Sequence, residues 1–347
     1  MKQNIEQERC VYYFFNGDVY SKIKKNKPIH KITEIDFYIK NELTNIKLLE
    51  GIKNHKNYYY FCENSTSLKI RETEDEIKHI RLGREIKSTE TVLLKFEDRE
   101  LIYLKNYLKA LSPSTKYIFT IIDFYKRLLN SIYFLASKQI VHNNINFDSV
   151  VIDNKEQPLL TNFSFSINIS RTLSEQYIQH FFIEHDASYI EWPLEIHILS
   201  YLLTNKLSSL SNYNIEKIIQ NVIENHTILK TFGETVVSSY KKDAIEYFKK
   251  YVNKSYDYIL TDVLQFYNTW DNYSLSIMFL RILIGIHKTI QIKNKFIILF
   301  MKLLVCNINL NPLKRHSIEI TTNKFESLLE SLEPKDYKDI INNLMSA

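Results

Sequence analysis

The feature that most constrains the fold is a change of hydrophobic period near Asp98. Before it, short β-compatible runs dominate: VYYFF (11–15), DVYSKI (18–23), KPIHKI (27–32), YYYFC (58–62) and TVLLKF (91–96). After it, apolar residues recur every three to four positions, as in residues 99–111 and 115–138, with Ser112-Pro113-Ser114 as a break and cap between them. Strands first and helices later predict an α+β protein in two lobes, joined near residues 96–99. The strand-rich part also contains one amphipathic helix over residues 34–52, closed by Gly51, and an Asn16-Gly17 hairpin signal.

At 347 residues the chain is long enough for one large domain or two lobes. The expected division is a small lobe over 1–96, with a charged insertion at 64–90, a helical lobe over 97–333 and a tail at 334–347. A net charge of +5 with interspersed Lys and Glu gives no single-sign field, so no specific nucleic-acid partner is expected. The apolar runs at 273–286 and 296–306 are interrupted by Arg281 and Lys302 and fall short of the ~18 residues of a membrane span, so no membrane association is expected. Cys10, Cys62 and Cys306 are odd in number and lack zinc spacing, and no secretory leader precedes them; the expectation is a reducing, intracellular setting. Only five glycines occur, against roughly two dozen for an average chain of this length. Together with abundant Asn, Ile, Lys and Tyr, this is the bias an AT-rich coding sequence produces.

Residues 141–152, VHNNINFDSVVI, place a His and a polar run between a helix and a short apolar strand. VVID (150–153) and LLTNFSF (159–165) then read as a hairpin. This order resembles that of the protein kinase family, whose catalytic loop reads His-Arg-Asp-Leu followed by a spaced Asn. His142, Asn143 and Asn144 occupy that frame, with Asn146 at the usual Lys position and Ser149 at the Asn position. Asn162-Phe163-Ser164, eighteen residues after Asn144, resembles the metal-binding Asp-Phe-Gly. Pro193-Leu194-Glu195 resembles Ala-Pro-Glu, residues 271–276 resemble the start of the central helix of the large lobe, and Asn311-Pro312-Leu313-Lys314-Arg315 resembles Asp-Pro-x-x-Arg.

The resemblance covers roughly residues 10–330 and implies a two-lobed kinase-like fold with a buried Glu195–Arg315 pair and a structural Asp271. Glu195 and Asp271 are 76 residues apart, implying a helical insertion over about 196–265. The string Trp192 to His197 and the composition resemble kinase-like proteins of large DNA viruses, which implies host cytoplasm or virion as the location.

The residue types argue against the family's chemistry. Phosphoryl transfer requires a base, metal ligands, a lysine on the phosphates and a glycine-rich loop. Asn144 cannot take a proton, Asn162 and Ser149 are neutral, and only Gly17 stands where the loop belongs. Lys31 is a candidate phosphate lysine and Glu42 its helix partner; Glu34 and Glu50 compete for that position, and a surface Lys with a solvated Glu is the alternative. The resemblance thus implies a pseudokinase, a binding or regulatory scaffold with protein partners, taking up ATP and Mg²⁺ only if nucleotide binding survives. Two alternatives stand beside it. One is an active atypical Ser/Thr kinase in which Asp148 or Asp153 replaces the lost carboxylates; the other is a nucleotide-binding switch without transfer. His180 and His185 read as residues of the segment before Pro193 rather than metal ligands, Trp192 and Trp270 as core anchors, and the two insertions as partner surfaces.

Overall fold

The computed structural model describes residues 14–15, 18–19, 29–69, 90–111, 115–171, 175–182, 185–290 and 294–332. Gly17 and the tail at 334–347 lie outside them, as do the side chains of Lys31 and Glu34. Helices predominate among the described residues, and the ladders between their strands are antiparallel, with isolated parallel bridges at Tyr59–Leu160 and Leu210–Val252.

Strands β1 (Phe14–Phe15) and β2 (Asp18–Val19) pair across the Asn16-Gly17 signal, Phe14 opposite Val19. Strands β3 (Ile29–Glu34), β4 (Cys62–Lys69) and β5 (Glu90–Phe96) form a sheet in the order β3-β5-β4. The charged stretch read as a surface insertion, 64–90, begins in β4 and ends in β5, two strands that pair with each other. At the sheet edge residues 64–67 are exposed, so their Asn, Ser and Thr side chains meet water and the apolar alternation is absent. The remainder, 70–89, lies outside the described residues.

Between β3 and β4 runs helix α1 (Phe37–Leu49), capped by Asp36, whose carboxylate accepts from Ile39 N. The run read as one helix from residue 99 instead begins as strand β6 (Leu101–Tyr103), followed by the short helix α2 (Leu104–Ala110). Its partner is β8 (Val150–Asp153), which pairs in turn with β9 (Pro158–Leu160). An available ladder partner outweighs weak helical periodicity over three residues.

Helix α3 (Thr115–Ser137) leads into β7 (Ile140–Val141), which pairs with β10 (Ile167–Asn168). The later helices are α4 (Glu175–Phe182), α5 (Leu194–Thr204), α6 (Asn212–Asn225), α7 (Thr227–Lys230), α8 (Glu234–Phe248) and α9 (Tyr256–Leu264). They are followed by α10 (Tyr267–Ile290), α11 (Lys295–Asn307) and α12 (Ile318–Glu330).

Two apolar clusters organise these elements. In the first, Tyr125 of α3 meets Phe279, Phe300 and Phe325 edge-on at 4.8–5.0 Å, joining α3 to α10, α11 and α12. In the second, α4, α5, α6, α8 and α9 enclose Leu199, Ile219, Phe248 and Trp270. The stretch read as an insertion, 196–265, shares this second core with Val141, Ile167, Phe182, Trp270 and Leu310, and the helix at its start, α5, is buried along most of its length. No helix among the described residues is long and apolar enough to cross a membrane.

Candidate functional site

The polar run after β7 is fixed from below by one carboxylate. Asp271 of α10, almost fully buried, accepts from His142 N at 2.7 Å and from Asn143 N at 2.9 Å. Burial pushes its carboxyl up to about 7, while the two backbone N–H groups pull the other way. Asn143 has φ +60°, a left-handed conformation that Asn tolerates better than most residues. The Trp192 indole N–H donates to the Asn143 carbonyl at 3.0 Å, so this tryptophan holds the loop as well as packing in the core.

His142 is fully buried, its Nε2–H donating to the Thr161 carbonyl at 3.0 Å and its ring set edge-on to Phe163 at 5.0 Å. Burial pushes it down to about 4, so at neutral pH it is an uncharged strut.

Beyond this anchored base the loop closes on itself. Asn146 Oδ1 accepts from Asp148 N at 2.8 Å and Ser149 N at 3.2 Å. Ser149 Oγ accepts from Asn146 N at 2.9 Å and donates to the Asn146 carbonyl at 3.0 Å. These are the local turn bonds for which Asn and Ser are suited. Asn144 Oδ1 in turn accepts from Asn146 Nδ2 at 2.9 Å and from the Tyr189 hydroxyl at 2.6 Å. Burial pushes the Tyr189 phenol up to about 12, so it stays protonated and donates.

Asn162 is exposed at φ +66°, and its side-chain oxygen accepts from Ser164 Oγ at 2.8 Å. Both candidate metal positions therefore carry neutral oxygens already engaged within their own turns. That donor set does not fit Mg²⁺, which prefers carboxylates together with substrate phosphates. Of the substitute carboxylates, Asp153 accepts from Lys155 N and Gln157 N, each at 2.9 Å, and is committed to the β8–β9 turn. Asp148 is exposed beside Asn146.

Lys31 lies in β3 opposite Leu94, and Glu42 is half-buried on α1; pairing between them lies outside the described side chains. Sequence reasoning passed over two other residues of this helix. Asn41 Nδ2 donates to the carbonyls of Ser164 at 3.1 Å and Ser166 at 2.7 Å, and Asn45 Nδ2 donates to Ser166 O at 3.0 Å. The Tyr177 hydroxyl of α4 completes the set by donating to Asn41 Oδ1 at 2.8 Å. The available signal was two amides at i and i+4 breaking the apolar stripe of Ile39, Ile46 and Leu49. Tyr189 carried no comparable signal, because its role depends on a fold that brings residue 189 to residue 144.

Glu195 and Arg315 form an ion pair with both side chains fully buried. The Trp270 indole N–H donates to Glu195 Oε1 at 3.0 Å, and the Arg315 guanidinium lies over the Tyr273 ring at 5.7 Å. His180 stacks on Phe37 at 3.9 Å, and His185 meets His197 at 5.7 Å. Among the described residues no three His, Cys, Asp or Glu side chains are grouped as metal ligands.

Beside the loop lies an open cavity of about 790 Å³, bounded by α2, the start of α3, residues 146–148, residues 189–191 and α10. No family model and no curated protein matches the chain.

Proposed function

We propose that the chain is a catalytically impaired, protein kinase-like protein whose two-lobed scaffold serves as a binding or regulatory module for protein partners. The order of its landmarks supports this reading, and so does the contrast between them. Asp271 holds two backbone N–H groups of the loop, and Glu195 pairs with Arg315 in the core. Ser149 and Asn162 make the neutral hydrogen bonds of well-formed turns, and Asn144 accepts from Asn146 and from the distant Tyr189 hydroxyl.

One observation carries the proposal: Asn144 Oδ1, at the position expected to receive a proton, already accepts from Tyr189 and Asn146 of the same chain. An amide in that state has no basicity to offer. Thermal denaturation with ATP, with and without Mg²⁺, tests the reading through ligand-linked stabilisation. The expected result is no Mg²⁺-dependent rise in Tm. A rise that needs Mg²⁺ and disappears in Lys31→Met would contradict it.

The exposed Asp148 favours a second reading, an atypical kinase using that carboxylate. It predicts phosphate incorporation that Asp148→Asn abolishes.

A further inference from the structure

Three histidines meet where the segment 185–192, which is neither helix nor strand, lies on the second core. His185 sets its ring edge-on to His197 of α5 at 5.7 Å and to Tyr201 at 5.4 Å. His197, fully buried, faces the backbone of Tyr189 and Trp192 and lies 6.1 Å from the Trp192 ring. His226, also fully buried, stands between α6 and α7, close enough for its charge to be felt at His197.

Geometry commits His226 to one neutral form. Its Nδ1 accepts from Leu229 N at 3.1 Å as the cap of α7, so the proton sits on Nε2, which faces the Tyr273 hydroxyl at 3.1 Å. A second proton on Nδ1 would set two donors against each other and remove the cap. Burial, with Arg281 adding to it, holds His226 down at about 4. Burial and then the neighbouring His185 and His226 push His197 down to about 3, against an upward pull from the Tyr189 and Trp192 carbonyls. His185 is held down by burial too, with Asp186 pulling the other way. Two acids lie close by, and both are engaged: Asp186 accepts from Ser188 N and Oγ, and Glu191 pairs with Arg281.

The segment is fastened mainly at its ends. His185 N donates to Thr204 Oγ1 at 3.0 Å, and the Glu191 carbonyl accepts from Ser274 Oγ at 2.7 Å. Between them the Tyr189 hydroxyl reaches Asn144.

We propose that the three histidines form an acid-released latch: as pH falls, residues 185–190 leave α5, and the Tyr189 hydroxyl leaves Asn144, before the helices unfold. In contact the rings cannot charge together, because like charges repel strongly away from water. Once apart and wetted, each takes a proton near its ordinary 6.5, so acid favours the opened segment. The latch goes beyond the kinase-like reading and does not depend on it.

The test is hydrogen exchange of the full chain at pH 7.5 and pH 5.0, corrected for the intrinsic rates. Protection of residues 185–190 is expected to fall about tenfold or more at pH 5.0, with α3 and α11 unchanged. His197→Phe keeps a ring in the core without a titrating group, and His226→Asn keeps the cap acceptor; together they are expected to abolish most of the acid response. His185→Gln, at a half-buried position, is expected to reduce it and serves if the buried pair does not fold. His142 and Asp271, which also titrate here, are untouched in these variants. Equal protection at both pH values, loss spread equally over α3 and α11, or an undiminished acid response in the variants would overturn the latch.

Discussion

At the scale of single residues, the side chains that hold the loop from outside it differ from Asn146 and Ser149, which close it on itself. Asp271 is the clearest holder, since two buried backbone N–H groups depend on it. Asp271→Ala orphans both donors and is expected to destabilise by about 2–5 kcal/mol in urea denaturation, while Asp271→Asn, keeping one acceptor, costs less. Removing one member of the Glu195–Arg315 pair leaves the other charge buried and uncompensated. Arg315→Met is therefore expected to cost about 3–5 kcal/mol, and the double variant with Glu195→Leu to regain part of that loss. Both positions were legible in the sequence through motif order. Tyr189 was not, because no motif ties it to residue 144; Asn41 and Asn45 left only the break in the apolar stripe of α1.

At the scale of elements, α1 is fastened to the 164–168 segment and to α4 through amides rather than apolar contact alone. Asn41→Leu with Asn45→Leu leaves the Ser166 carbonyl and the Tyr177 hydroxyl without these partners. Faster hydrogen exchange is expected in α1 and in residues 164–182, with α3 and α10 unchanged; uniform protection would show the amides to be dispensable. Helix α3 was readable because burial imposes a 3.6-residue pattern over many turns, and α10 because its apolar run at 273–286 is that of a helix buried nearly all round. Elements whose form depends on a distant partner were read less well. β6 pairs with a strand some fifty residues on, and the exposed edge strand β4 has too little buried surface to show alternation.

For the whole molecule, buried histidines set the response to acid. Burial holds His142 and His226 down at about 4 and His197 at about 3, against an ordinary 6.5. Below pH 6.5 the unfolded chain takes up these protons and the native chain does not, so stability is lost as pH falls. Asp271 acts oppositely: held up at about 7 against 3.8, it gives the native state one more proton between those values. Across these four groups the balance is an uptake of about two protons on unfolding between pH 4 and 6.5, to which His185 and His316, also held down by burial, add; urea midpoints across that range would measure it as stability falling with pH.

The central claim is that this scaffold persists without phosphoryl transfer. The direct measurement is incorporation of radiolabelled phosphate from ATP, with Mg²⁺ and then Mn²⁺, into the chain itself and into generic protein substrates. Incorporation equal to that of Lys31→Met is the predicted result. Robust incorporation by the unmodified chain that Lys31→Met abolishes would contradict it.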